Sequence, residues 1–259
     1  MKTNLVLSAI VVLFTMAACS GNKNLNLAEQ LWAEIALTAT DNTLTGKEQE
    51  NGWQLLFDGK SLQGWHGYNM KEVPGVWSVT DGCIMVDGEG GGEGSGEEHQ
   101  DLVTDKTYRK FAFTVEYKLS KGSNSGIIFQ VKEDPKYKFS YETGPEFQLI
   151  DQDAWYDPLE DWQIHGANYA MYPPKEKPYN PVGEWNRLLL VVDGNDVTQL
   201  INGVETASYT KYSDDWNTKR NSGKWTDFPD WGKFDEGSIV IQNHGTKLWF
   251  KNIKIKELK

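Results

Sequence analysis

Cysteine is almost absent from this 259-residue chain: there are two, Cys19 and Cys83. Cys19 sits in an N-terminal signal, which leaves Cys83 without an intramolecular partner and excludes both a disulfide framework and a cysteine-based zinc site. Histidine is scarce too, at four residues, His66, His99, His165 and His244, and none stands at the helical spacing of a zinc hydrolase. Cations are outnumbered, 26 Lys and Arg against 37 Asp and Glu, and a net charge of −11 disfavours nucleic acid and anionic lipid as partners. Long hydrophobic runs are missing apart from residues 5–16, which are too few to span a bilayer. Helical periodicity rich in alanine is also missing, which argues against helical bundles and doubly wound nucleotide-binding folds.

What is present is aromatic and turn-forming: 12% aromatic residues, eleven of them Trp, together with 25 Gly and a mean hydropathy of −0.58. That is the composition of a β-rich globular domain. Lys2, the run 5–16 and Ala17-Ala18-Cys19 form a charged, then apolar, then small-residue leader ending in a lipobox-like cysteine. The expectation is a signal peptide over residues 1–18, lipidation at Cys19, a tether over 19–49 and one domain over 50–259. Membrane contact is then expected only through the lipid anchor, in a bacterial cell envelope. No acidic run directly follows Cys19, which favours the periplasmic face over the surface.

Period-two alternation begins near Trp53, Leu55 and Phe57 and recurs through Phe111, Phe113, Val115 and Tyr117. Further strands are expected over 77–79, 83–86, 126–131, 147–150, 188–192, 197–201, 239–242 and 248–255. Asn202-Gly203 is a strong hairpin signal, and Asp81-Gly82 and Asp193-Gly194-Asn195 are further turns. Short strands without crossover helices predict an all-β antiparallel sandwich. The stretch 87–101 holds six Gly and six acidic residues, which predicts a surface loop unable to pack and, with carboxylates all round, no phosphate cradle.

The most informative segment is 141–151. After Gly144-Pro145, Phe147 and Leu149 face one way along a strand, which sends Glu146 and Gln148 together to the other face. A carboxylate and an amide side by side suit the lining of a polar cleft, although a solvated strand face reads the same. Asp151, Asp153 and Asp157 lack the spacing of a calcium loop, so no cofactor is expected and a divalent cation is unsupported. His244 ends an apolar strand and precedes Gly245, from where it can reach a cleft. Of the Trp residues, Trp77, Trp185 and Trp249 fall inside strand patterns, whereas Trp155, Trp162, Trp216, Trp225 and Trp231 lie in polar connections and are candidates to meet a ligand.

Taken together, Asn42-Thr43-Leu44-Thr45, Gly52-Trp53-Gln54-Leu55-Leu56-Phe57-Asp58-Gly59-Lys60-Ser61-Leu62, Asn124-Ser125-Gly126-Ile127, the 141–151 segment, Gly183-Glu184-Trp185-Asn186, Asn202-Gly203 and Gln242-Asn243-His244-Gly245 resemble the bacterial 3-keto-disaccharide hydrolase domain family. Gln130 and Asn243 depart from the Arg and Asp common in that family, which puts sugar contacts there in question. The resemblance implies a concanavalin A-like β-sandwich, or jelly roll, with a carbohydrate on one sheet. It also implies glycosides already oxidised to a ketone at sugar carbon 3, hence a sugar 3-dehydrogenase upstream, and cleavage by elimination and hydration. Glu146 or His244 is then the expected base and Asp151 an acid or orienting partner. Gln148 and Asn124 are expected to donate hydrogen bonds to sugar oxygens, with Gln242, Tyr169 and Trp155 as further substrate contacts. An ordinary two-carboxylate glycosidase and a non-catalytic carbohydrate-binding lipoprotein remain alternatives.

Overall fold

The computed structural model describes residues 25–35, 40–87 and 100–259. The expected signal peptide, Cys19, His99 and most of the Gly-rich acidic stretch lie outside these residues. Alternation in the sequence becomes two antiparallel sheets packed face to face. The larger contains β1 (Gln54–Leu55), β3 (Trp77–Thr80), β4 (Cys83–Val86), β6 (Phe111–Leu119), β9 (Trp185–Asp193), β10 (Asp196–Ile201), β11 (Val204–Thr210) and β13 (Leu248–Glu257). Its order is β11-β10-β9-β6-β13-β4-β3, with β1 on the C-terminal half of β13. The smaller sheet, ordered β2-β5-β12-β7-β8, is built from β2 (Trp65–Gly67), β5 (Leu102–Thr104), β7 (Asn124–Val131), β8 (Glu146–Ile150) and β12 (Ser238–Ile241). This is the concanavalin A-like, jelly-roll sandwich that the sequence predicts.

Between the sheets lies one apolar layer. Phe113, Val115, Tyr117, Leu188, Leu190, Phe250 and Ile255 of the larger sheet meet Ile127, Phe129, Phe147, Leu149, Ile239 and Ile241 of the smaller, all buried. Full burial of such a side chain contributes roughly 1.5–3 kcal/mol, so this layer dominates the favourable side of folding. The turns follow their chemistry. Asn202 and Gly203 take positive φ at 49° and 84° and close β10 onto β11, as Asp81 and Gly82 do between β3 and β4.

The segment expected to be a tether is in part structural. Helix α1 (Leu27–Glu34), with an Asn26 and Glu29 capping box, lays Ala28 and Leu31 on Ala112, Leu189, Val191 and Leu200 of the larger sheet's outer face. In the sequence, residues 25–37 offer an apolar pattern sufficient for one helical turn or two, short enough to be read as part of a tether. Farther on, Asn42 and Asn252 exchange reciprocal hydrogen bonds: the Asn42 N–H donates to Asn252 Oδ1 at 2.6 Å and the Asn252 N–H to Asn42 Oδ1 at 2.9 Å. They do so where β13 shifts register against β6. Helix α2 (Gly46–Glu50) carries Glu48, whose carboxylate receives the Lys254 ammonium at 2.7 Å, both side chains being buried. Removing one member of a buried pair strands the other charge, so Lys254→Met is expected to cost roughly 3–5 kcal/mol of unfolding free energy and Lys254→Met with Glu48→Gln markedly less, measured by urea melts. Equal costs for the single and double variants would show that the pair is not coupled.

Candidate active site

On the outer face of the smaller sheet the side chains divide into two regions. One is apolar, where Val103, Ile128, Val131 and Val240 pack with Tyr68 and Tyr141. The other is a polar cleft of about 280 Å³ whose floor comes from Asn124, Glu146, Gln148, Ile150 and Gln242. Its walls are Tyr141, Trp155, Tyr156, Gln163, Tyr169, Lys224 and His244. The cleft therefore gathers Glu146, His244, Asn124, Gln148, Gln242, Tyr169 and Trp155, all expected from sequence.

The register of β8 on β7 sets the floor. Ile127 pairs with Phe147 and Ser125 with Leu149, which turns Phe147 and Leu149 into the core and leaves Glu146, Gln148 and Ile150 on the cleft side. Glu146 is pinned by its carbonyl oxygen, which accepts the Tyr169 N–H at 3.0 Å and an Asn168 side-chain N–H at 3.3 Å. Its side chain lies across Gly126. A Cβ added at Gly126 would stand 2.2 Å from Glu146 Oε1 and 2.7 Å from its Cγ, so only glycine leaves room for this carboxylate.

Three amide oxygens, Asn124 Oδ1, Gln148 Oε1 and Gln242 Oε1, are buried in this floor without a hydrogen-bond partner among the described residues. A buried acceptor left alone costs roughly 1–3 kcal/mol, so three in one cleft mark a surface shaped for hydroxyl donors from outside. The nitrogen of Gln148 is already engaged, donating to the Gln163 carbonyl at 3.1 Å. Gln148 thus offers an acceptor where the sequence suggested a donor.

His244 follows β12 and faces the Trp155 ring edge-on, with centroids 5.6 Å apart. Its corner is built by Gly245 at φ 74°, whose N–H donates to Asn243 Oδ1 at 3.0 Å, and by the Asn243 N–H, which donates to Asp101 Oδ1 at 2.8 Å. Ser140 donates its hydroxyl to the other oxygen of Asp101 at 2.5 Å, beside Tyr141. One buried carboxyl therefore joins the His244 wall to the Tyr141 wall. Burial pushes Asp101 up to about 6, against the two hydrogen bonds that pull it down.

Several expectations are corrected. Asp151 does not line the cleft; its carboxylate accepts the Gly122 N–H at 2.7 Å and shapes the turn before β7. Trp216, Trp225 and Trp231 are buried in a stack, Trp225 on Trp231 at 4.3 Å and Trp231 on Trp216 at 5.8 Å, and do not face a ligand. Their polar sequence neighbours disguised them as surface residues. Gln130 is also remote from the cleft, its amide bridging the Arg109 and Asp235 carbonyls and the Lys211 ammonium. Asp101, assigned by sequence to an unpackable loop, is buried. Lys224 carried no sequence signal at all. A buried histidine, His165, sits behind the floor between Tyr117 and the Ile150 carbonyl, and burial pushes it down to about 4, so it stays neutral near pH 7.

Comparison with known proteins shows the family. A profile of the 3-keto-alpha-glucoside-1,2-lyase-like domain matches residues 52–256. A Bacteroides thetaiotaomicron protein named 3-keto-disaccharide hydrolase is 30% identical over 274 aligned residues, covering 94% of this chain and 94% of that protein. A Parabacteroides distasonis crystal structure of a candidate glycosyl hydrolase is 41% identical with a TM-score of 0.79, covering 85% of this chain and 100% of that one. A second candidate glycosyl hydrolase from the same organism, 24% identical with a TM-score of 0.59, covers 80% of this chain and 99% of its own and shares the fold.

Two outcomes follow from this geometry. Gly126→Ala should displace the Glu146 carboxylate, lower turnover by about 10²-fold and cost only about 1–3 kcal/mol of stability. A crystal structure of that variant with Glu146 unmoved would refute the packing argument. For Asp101, the folded state holds its proton more tightly than the unfolded state, whose value stays near the ordinary 3.8. Its contribution is therefore fully present below that value and is lost as pH rises through about 6. Relative to Asp101→Asn, the wild type should lose up to about 3 kcal/mol between pH 4 and 7. Parallel stability curves for the two proteins across that range would contradict it.

Proposed function

The chain belongs to the 3-keto-alpha-glucoside-1,2-lyase-like domain family, which makes it a glycosidase-type carbohydrate hydrolase, and from that premise we propose that it cleaves glycosides bearing a ketone at sugar carbon 3 by elimination followed by hydration. The observation that carries this reading is the floor of the cleft. Three partnerless amide acceptors lie beside the Glu146 carboxylate and the His244 imidazole in one cavity. The acceptors suit sugar hydroxyls, and Trp155 and Tyr169 supply aromatic walls for the apolar face of a ring.

In this mechanism the C3 ketone acidifies the hydrogen on C2. A base, Glu146 or His244, takes that proton, the C2–H electron pair forms the C2=C3 enolate, and the enolate re-forms the ketone as the C1–O bond breaks. The departing oxygen leaves with that bond's electron pair and picks up a proton, leaving a C1=C2 enone. Water then adds at C1 while a proton returns to C2, giving the free 3-keto sugar. Glu146 and His244 divide the acid and base duties between them, and each proton removed is available for return.

A sugar 3-dehydrogenase must act upstream to create the ketone. The lipobox-like Ala17-Ala18-Cys19 supports a lipid-anchored protein of the bacterial envelope facing the periplasm, so substrate and oxidising partner would meet outside the cytoplasm.

The test is a matched pair, a simple 4-nitrophenyl glucoside and its 3-keto derivative. Release from the keto compound alone is expected, with Glu146→Gln and His244→Ala each lowering kcat by roughly 10²–10⁴-fold while folding normally. Hydrolysis of the unoxidised glucoside at a comparable rate would overturn the elimination route.

A further inference from the structure

An enolate is stabilised by a hydrogen-bond donor or a cation at the oxygen where its charge collects, and among the described residues lining the cleft Lys224 is the only Lys or Arg. It begins the short 3₁₀ turn Lys224–Asp227. Its ammonium lies 4.7 Å from the Tyr141 ring centroid, 4.6 Å from that of Tyr169 and 5.2 Å from that of Trp225. Tyr169 and Trp225 meet edge to face at 6.3 Å, Trp225 is stacked on Trp231, and Tyr141 stands on Phe139 and Phe228. The cage is thus itself supported by packed rings.

Such a cage differs from the way the buried cations are held. Lys254 is neutralised by Glu48, and Lys211 is held by the Phe234 carbonyl and the Gln130 amide oxygen with the Asp235 carboxylate 3.5 Å away. Three ring faces instead orient a cation without cancelling its charge, and cation–π contacts of this kind are worth roughly 0.5–2 kcal/mol each. The ammonium keeps its donors for a ligand. The polarity of the floor fits this: hydroxyls can give hydrogens to Asn124, Gln148 and Gln242, whereas a ketone oxygen has none to give and must be met by a donor.

We propose that Lys224 is the electrophilic catalytic residue of the cleft, hydrogen-bonded to the C3 oxygen of a 3-keto sugar and stabilising the charge that gathers there when C2 is deprotonated. This rests on the reading of the cleft as a 3-keto-glycoside site. The lysine donates a hydrogen bond and transfers no proton; it forms no bond to carbon, and the electron pair released at C2 moves to the C3 oxygen and then returns to expel the C1 substituent. The role also gives selectivity, because a sugar with a C3 hydroxyl develops no such charge.

The experiment uses 4-nitrophenyl 3-keto-α-glucoside, whose leaving group needs no acid, so kcat reports the enolate-forming half of the reaction. Lys224→Met should lower kcat by roughly 10²–10³-fold with KM within about threefold, and Lys224→Arg should recover at least about tenfold of that loss. Deuterium uptake at C2 of the recovered substrate in heavy water should slow in parallel. Lys224→Gln serves as a second neutral variant, and Trp fluorescence checks that the stacked indoles stay in place. A kcat near wild type in Lys224→Met or Lys224→Gln, or a loss confined to KM, overturns the catalytic role while leaving the broader reading intact. Wild-type protein inert toward the keto glucoside sinks that reading and this role together.

Discussion

Everything in the cleft depends on one register, that of β8 against β7. Because side chains alternate at every residue of a strand, a slip by one position would turn Phe147 and Leu149 outward and drive Glu146 and Gln148 into an apolar layer. Burying an unpaired carboxylate there would cost several kcal/mol, and exposing two large apolar side chains would add roughly 3–6 kcal/mol more. The register is thus enforced by the core, and the cleft inherits its geometry from that enforcement. The free edge of β8 is closed by residues 166–169: Gly166 and Tyr169 donate backbone hydrogen bonds to Gln148 and Glu146, and Gln148 donates to Ala167. The carboxylate consequently stands on a strand held from both sides.

A rigid floor leaves polarity as the variable by which the site selects a ligand. Acceptors without partners among the described residues, an aromatic pair formed by Trp155 and Tyr156 at 4.6 Å, and a caged cation are different chemical demands placed around one cavity. A fully hydroxylated sugar satisfies the first two. A sugar carrying one carbonyl satisfies all three, since the carbonyl oxygen accepts where the hydroxyls donate. The net charge of −11 makes an isolated cation in this cleft more conspicuous, because nothing in the protein's overall field concentrates anionic ligands.

Sequence reading reached the floor of the site and failed on much of its walls, for definite physical reasons. Glu146 and Gln148 were visible because strand alternation is a local property, His244 because a strand end followed by glycine is a local punctuation, and Asn124 only through the resemblance of its Asn-Ser-Gly-Ile motif to a family. Lys224 was invisible because its significance comes from Tyr141, Tyr169 and Trp225, which are brought together from three separate segments. Asp101 misled for a related reason. It belongs by composition to an acidic, Gly-rich stretch, yet the backbone N–H of Asn243 and the hydroxyl of Ser140 are waiting for a carboxyl there. The apolar pattern at 25–37 allows one or two helical turns but carries no information about which sheet face they cover, so α1 read as tether.

The distribution of carboxylates bears on the choice between elimination and ordinary glycoside hydrolysis. A two-carboxylate mechanism needs a second acid held opposite the first, at a spacing of roughly 5–10 Å fixed by the scaffold. Of the carboxylates close to Glu146 in sequence, Glu142 accepts the Phe139 N–H at 2.8 Å and Asp151 is committed to the Gly122 turn, and neither lines the cleft. Asp157 does line it, but from an exposed position between Tyr156 and Pro158 on the rim, without the strand backbone that holds Glu146. What the scaffold does hold firmly is one carboxylate, one imidazole and one cation, and that set matches proton removal next to a carbonyl better than displacement at an unactivated acetal.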